Sequence, residues 1–106
     1  MKPFLSALFG LAFGAASLPA FVAAQTPSAP ASGRVLVATC TGCHGQNGKS
    51  AGAIPALAGQ SEAQIRQAML DYKNDRRAGT MMNRHAKGFS DEEIGAIARE
   101  IATNWR

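Results

Sequence analysis

Large apolar side chains are scarce in most of this chain. Residues 25–106 contain only sixteen Val, Ile, Leu, Met, Phe, Tyr and Trp residues in total, and fourteen Ala. A chain this short buries little surface on folding and usually needs a disulfide, a metal or another bound group for stability. We therefore expect one domain whose interior is completed by such a group. The length also excludes a multidomain enzyme.

The first 24 residues differ in composition from the rest. Met1, Lys2 and Pro3 precede an uncharged apolar run over 4–24, which ends in small residues. A short basic start, an apolar run and a small-residue end predict a secretory signal peptide over 1–24. The alternative is an uncleaved membrane anchor, since about 20 apolar residues span a bilayer. Helix-breaking residues within the run favour cleavage: Gly10, Gly14 and Pro19.

The charge balance of the remaining chain is modest. Without Lys2, the formal net charge falls from +4 to +3. The basic residues form no dense run and few aromatic residues lie between them, so nucleic-acid binding is not expected.

The start of the exported chain is rich in Pro, Ser and Ala. Residues 25–32 (QTPSAPAS) therefore predict a flexible linker, and we place one folded domain over 33–106. At its start, the apolar residues of 34–39 fit a short helix or a strand, and their pattern does not decide between the two.

Two helices are predicted further along the chain. Capping-box residues and apolar spacing predict one over Glu62–Lys73, and a second box predicts a final helix after Ser90. The segment 41–59 is rich in glycine, and the segment 74–87 shows no apolar periodicity. Both are predicted as loops. Long loops in so small a domain usually have a function.

The residues Cys40-Thr41-Gly42-Cys43-His44 form a C-x-x-C-H motif, the attachment signature of c-type haem. Two sulfurs three positions apart lie on the same side of a helical turn, where both reach the vinyl groups of one porphyrin. His44 then supplies the proximal iron ligand. Export agrees with this assignment, because c-type haem is attached outside the cytoplasm.

The two cysteines have three other possible roles. A thioredoxin-type redox pair needs a βαβ unit, which the sequence lacks. A zinc site would use Cys40, Cys43, His44 and His85, but the usual second pair of closely spaced ligands is missing. A structural disulfide between the two cysteines is the third.

A sixth iron ligand is a Met, a His or absent. Met81, Met82 and His85 all lie in the second loop. A thioether raises the reduction potential, and an empty position opens the iron to small ligands. A loop Met commonly fills a gap in the core or stays partly exposed. We expect His85 to be exposed, because the polar loop offers it no fixed partner.

Residues 33–106 resemble class I cytochromes c. They are most similar to the haem domains of the cytochrome subunit of flavocytochrome c sulfide dehydrogenase, with cytochromes c4 and c-553 as further relatives. Two segments carry the resemblance: CTGCHGQNGKSAGAIPALAGQ (40–60) and YKNDRRAGTMMNRHAKGFSDEEIGAIA (72–98).

The resemblance implies an all-α fold, with helices and long loops around one covalent haem c, and a set of site residues. It places the Met ligand at Met82, giving His44 and Met82 as the two metal ligands. It gives the Pro55 carbonyl a hydrogen bond from the proximal imidazole, a contact that fixes ligand orientation. It places Leu57 and Tyr72 near the haem.

The chain departs from the family at two positions. Asp75 stands where the family often has Gly, and His85 stands where it has an apolar residue. Some relatives also carry two haem domains, whereas this chain has one haem motif.

The resemblance implies periplasmic one-electron transfer, with electrons accepted from an FAD-containing, sulfide-oxidising flavoprotein. The protein is then an electron carrier and not itself an enzyme. The alternatives are a free cytochrome that shuttles electrons to a terminal oxidase and an open-site haem enzyme or gas sensor. Five basic residues of the second loop and its border form a candidate docking surface for an acidic partner, or simply a solvated loop: Lys73, Arg76, Arg77, Arg84 and Lys87.

Overall fold

The computed structural model describes residues 31–106, and this part of the chain contains helices and no strand. The predicted signal peptide over 1–24 and most of the predicted linker lie outside the described residues. The α-helices are α1 (Gly33–Leu36), α2 (Thr41–His44), α3 (Glu62–Lys73), α4 (Met82–Ala86) and α5 (Asp91–Asn104). Two 3₁₀-helices cover Val37–Thr39 and Gln46–Gly48. The predicted all-α fold class is confirmed.

Helix α3 has the predicted bounds, and its capping box is formed. The Ser61 hydroxyl accepts a hydrogen bond from the Gln64 N–H at 3.2 Å, and the Gln64 side chain accepts one from the Ser61 N–H at 2.9 Å. Both bonds use backbone donors that a helix start otherwise leaves without partners.

Helix α5 begins with the second predicted capping box. Ser90 and Glu93 form the reciprocal hydrogen bonds, and the first turn carries three acidic residues. Negative charge at a helix N-terminus is favourable because the helix dipole is positive there. The helix ends at Asn104, and Trp105 follows it as a buried residue, 5% exposed.

The apolar face of α5 forms the centre of the protein core. Ile94, Ile97 and Ile101 are at most 1% exposed, and α5 packs against both α3 and α1. At the α1–α5 crossing, a side chain on Gly33 would collide with the backbone carbonyl of Ala96. Gly33 therefore allows the two helices to approach closely. Within residues 31–106, no helix combines the length and apolar character needed to cross a bilayer.

The structure decides the open choice at 34–39 and corrects part of the first predicted loop. Residues 34–39 are helical. The predicted loop over 41–59 was wrong for its first residues, because α2 and a 3₁₀-helix form there. The His44 N–H donates to the Cys40 carbonyl at 2.9 Å and closes the turn. A four-residue helix is too short to show a period in sequence.

The second predicted loop, 74–87, was wrong for its last residues. Helix α4 occupies Met82–Ala86, and Ala86 is fully buried in the core. Met82 and Ala86 are four positions apart and lie on one face of this single turn. This turn is stabilised by packing against α3 rather than by the intrinsic helix propensity of its residues.

Candidate haem-binding site

The two cysteines of the motif lie at the start of α2 and within it, and their surroundings differ. Cys40, directly before the helix, is 8% exposed, whereas Cys43 is exposed, and both are free thiols. Burial raises the pKa of the Cys40 thiol above its usual value. A thioredoxin-type pair needs a cysteine with a lowered pKa, so Cys40 is not suited to be the reactive thiolate of such a pair.

His44 ends α2 as a buried polar residue, 8% exposed. Its Nδ1 lies 2.6 Å from the carbonyl oxygen of Pro55. A carbonyl only accepts hydrogen bonds, so Nδ1 carries the proton and donates it. The other ring nitrogen, Nε2, then has a free lone pair, which is the form of histidine that binds a metal.

The loop that contains Pro55 is tied to the core at Gly48. The Gly48 carbonyl accepts hydrogen bonds from the N–H groups of Leu57 at 2.9 Å and Ala58 at 3.2 Å. Gly48 has a left-handed φ of +66°, and a side chain there would lie 2.6 Å from the Trp105 ring. Leu57 is half-buried and packs against the core cluster. The position of the Pro55 carbonyl thus depends on this tightly packed glycine.

The two loop methionines have different surroundings. Met82 is the first residue of α4, is half-buried and packs against the core. Met81, one residue earlier, is 65% exposed. Of these two loop methionines, Met82 is therefore the one whose side chain contacts the protein core.

His85 is half-buried, so the expectation that it is exposed was wrong. Its ring meets the edge of Phe89, with ring centroids 5.4 Å apart at 80°. Aromatic pairs prefer this edge-to-face arrangement. Phe89 lies four residues after His85, outside the polar loop over 74–87, so the loop sequence alone does not indicate this partner. The packing also explains how a histidine fits where the family has an apolar residue.

Tyr72 lies in the last turn of α3 and is half-buried. A side chain on Gly79 would lie 2.7 Å from the Tyr72 ring, so the loop backbone passes close to the ring. The guanidinium carbon of Arg77 lies 5.0 Å from the ring centroid, within the range of a cation–π interaction.

Three of the five basic residues of the candidate docking surface form ion pairs with aspartates. Lys73 pairs with Asp91 at 2.7 Å, Arg76 with Asp71 at 3.0 Å, and Lys87 with Asp75 at 2.6 Å. Asp91 is the first residue of α5 and lies outside the loop in the chain. These pairs reduce the positive field expected of the loop.

The family's Gly position is occupied here by Asp75 in the left-handed region, with a φ of +55°. Aspartate tolerates this conformation better than most residues, which explains why the departure does not disrupt the loop. Sequence reasoning missed Asn83, whose side-chain amide lies between the loop and α3. Its main partners are backbone carbonyls, and these leave no signal in a sequence.

The residues around α2 fit a covalently attached haem. Two free thiols lie on one turn, and the adjacent imidazole is oriented with Nε2 unused. Within residues 31–106, no three His, Cys, Asp or Glu side chains are grouped so as to hold a metal ion by themselves, so the zinc alternative has no site. Half-buried apolar side chains border the core: Leu36, Leu57, Leu70, Tyr72, Met82 and Phe89.

The fold and the site define a small all-α protein with a c-type haem motif. The sequence model of the cytochrome c family matches residues 30–105. The chain therefore belongs to the cytochrome c family. This match confirms the resemblance predicted from the sequence. It binds haem c covalently and carries electrons, without being a catalyst itself.

Three relatives illustrate its place in the family. The cytochrome subunit of sulfide dehydrogenase from Chlorobaculum tepidum is 44% identical over 80 residues, which cover 76% of this chain and 73% of the relative. Cytochrome c-553 from Helicobacter pylori is 33% identical over 72 residues, 66% of this chain and 75% of the relative. Cytochrome c4 from Pseudomonas aeruginosa is 35% identical over 74 residues, 69% of this chain and 37% of the relative.

Proposed function

We propose that this protein transfers single electrons in the periplasm through a haem c ligated by His44 and Met82, as the cytochrome partner of a sulfide-oxidising flavoprotein. The hydrogen bond from His44 Nδ1 to the Pro55 carbonyl, 2.6 Å long, is the observation that carries the assignment of His44 as an iron ligand. When bound, haem c supplies an iron that accepts and releases one electron.

The chain's own residues hold the proximal side of this site. The Pro55 carbonyl fixes the plane and the tautomer of the His44 ring, as partners of metal-bound histidines do. Cys40 and Cys43 are the proposed points of covalent attachment. Because Cys40 is buried and Cys43 is exposed, the motif extends from the core to the surface.

Met82 is the proposed distal ligand. It is half-buried at the start of α4, whereas Met81 is 65% exposed. A side chain that ligates in the interior must lose its contact with solvent, which favours Met82 over its neighbour. A thioether on this side leaves no open position for substrate chemistry and raises the reduction potential.

The ligand assignment has a direct spectroscopic test. The oxidised holoprotein should show a sulfur-to-iron charge-transfer band, and the reduced form should bind carbon monoxide slowly. Rapid carbon monoxide binding without the band would instead support the open-site haem enzyme or gas sensor.

Export forms the second part of the proposal. We assign 1–24 as a signal peptide, 25–32 as a linker and 33–106 as the haem domain. The composition of 1–24 and the attachment of c-type haem outside the cytoplasm support this arrangement. Mass spectrometry of the protein from its host tests it, with a mature N-terminus at Gln25 as the expected result.

The proposed partner is a flavoprotein that contains FAD and oxidises sulfide. The 44% identity to the cytochrome subunit of sulfide dehydrogenase from Chlorobaculum tepidum supports this partner. Similarity to cytochromes c-553 and c4 supports the alternative of a free electron shuttle to a terminal oxidase. Purification of the tagged protein from its host distinguishes the two. Stoichiometric flavin in the product supports the complex, and a monomer without flavin supports the shuttle.

A further inference from the structure

The side chain of Asn83, in α4, contacts both the end of α3 and the loop over 74–81 that joins the two helices. Its Nδ2 lies 2.8 Å from the carbonyl oxygen of Arg77, 3.2 Å from that of Tyr72 and 3.2 Å from the Asp75 carboxylate. Tyr72 belongs to the last turn of α3, and the other two acceptors belong to the loop before α4. One amide therefore joins the end of α3, the loop and the start of α4.

All three partners of Asn83 are hydrogen-bond acceptors. The amide nitrogen is thus the group that faces them, because only it donates. In the part of the chain that the structure describes, the buried Oδ1 has no hydrogen-bond partner. A buried acceptor without a partner is unfavourable, so the contribution of this side chain comes from its N–H groups.

Asp75 extends the same connection to the other end of α4. One carboxylate oxygen accepts from Asn83, and the other accepts from the Lys87 ammonium at 2.6 Å. Lys87 directly follows α4, and Asn83 is the second residue of α4. The short helix is therefore held at both ends by one loop carboxylate.

We propose that Asn83 is a positioning residue for Met82, which adjoins it in the chain. The inference rests on the proposed role of Met82 as distal ligand. By fixing the first turn of α4 to the loop and to α3, the Asn83 amide keeps the Met82 thioether in its ligating position. Without the amide, the turn and its methionine move away from the iron more often, while the rest of the helical core stays folded.

Two substitutions and a matched control test this proposal on the holoprotein. Asn83→Ala removes the amide, and Asn83→Asp keeps its shape and Oδ1 but replaces the donor by an acceptor. The control is Asn74→Ala, at the residue that directly follows α3. Among residues 31–106 its Nδ2 donates only to the Leu70 carbonyl of α3, so it does not connect α3 to the loop or to α4. The readouts are the sulfur-to-iron charge-transfer band against temperature, carbon monoxide binding by the reduced form, and far-UV circular dichroism.

The expected result separates ligand loss from unfolding. Both Asn83 variants should lose the band well below the temperature at which the helices melt. They should also bind carbon monoxide about fivefold faster, because the rate follows the fraction of protein with Met82 released, and losing one hydrogen bond typically changes such an equilibrium by about this factor. Asn74→Ala should behave like the original protein. If band and helices disappear together in the Asn83 variants, or if neither variant differs from the control, the inference is overturned. If the unsubstituted holoprotein lacks the band, the Met82 assignment itself fails and this inference fails with it.

Discussion

The Nδ1 atom of His44 and the carbonyl oxygen of Pro55 lie 2.6 Å apart, although eleven residues separate them in the chain. This contact depends on the loop between them, and the loop depends on Gly48. A side chain at Gly48 would lie 2.6 Å from the Trp105 ring and 2.9 Å from the Leu57 side chain. The His44 ring is thus oriented by packing that includes Trp105, at the C-terminal end of the fold.

Gly48→Ala is therefore expected to destabilise the protein. The left-handed φ of +66° disfavours any side chain there, and both close contacts would have to relax. Overpacking of this kind costs roughly 1–3 kcal/mol. Thermal unfolding of the holoprotein measures the change. Gly52→Ala is the matched control, because nothing lies within 4 Å of a side chain at that position. Equal stability of the two variants would contradict the packing argument.

Met82→Ala and Met81→Ala separate the two neighbouring methionines. If Met82 is the ligand, its removal should abolish the charge-transfer band and allow rapid carbon monoxide binding by the reduced form. Met81 is 65% exposed, so its removal should leave both properties unchanged. In addition, Met82→His should lower the reduction potential, because imidazole stabilises ferric iron more than a thioether does. The reverse pattern would assign the ligand to Met81.

Acid stability should depend on Asp75. The Lys87 ammonium and the Asn83 amide lower the pKa of this carboxyl in the folded protein below its ordinary value of 3.8. The unfolded chain therefore takes up a proton at a higher pH than the folded chain. The resulting stabilisation is complete above 3.8 and is lost as the pH falls through the lower folded-state pKa.

Asp75→Asn tests this dependence without changing the backbone requirement, since asparagine also tolerates the φ of +55°. The variant should be less stable near neutral pH, and the difference from the original protein should shrink below pH 3.8. Unfolding with denaturant at several pH values measures it. Asp91→Asn serves as a comparison, because the Lys73 side chain lowers the pKa of Asp91 in the same direction. A stability difference for Asp75→Asn that does not change with pH would argue against the assignment.

The sequence predicted those parts of the fold that follow local rules. Both capping boxes and the bounds of α3 are as expected, because a capped helix of three turns carries its own signals in the chain. The helices α2 and α4 were missed, since one turn has too few residues for a period and is stabilised by tertiary contacts.

The features of the candidate site show the same division between those predicted from local sequence and those that depend on tertiary contacts. The C-x-x-C-H motif is contiguous and can be read directly from the sequence, whereas the site roles of Pro55 and Met82 are predictions from a family resemblance. The contacts of Asn83 and the edge-to-face packing of His85 on Phe89 were not predicted, because they depend on how α4 turns back against α3. Asp75 was noted as a departure, and only its backbone angle shows why the family has glycine there.

The last prediction concerns the protein without its haem. The core of 31–106 consists of one apolar helix face with a few residues from its neighbours, and six further apolar residues are only half-buried against it. Such a core stabilises a small chain poorly, and haem attachment supplies the missing apolar contacts. A variant with Cys40→Ala and Cys43→Ala, expressed without the signal region, should therefore be largely unfolded. Far-UV circular dichroism and hydrodynamic radius measure this, with the holoprotein as control. A compact helical product would show that the protein core suffices without the group.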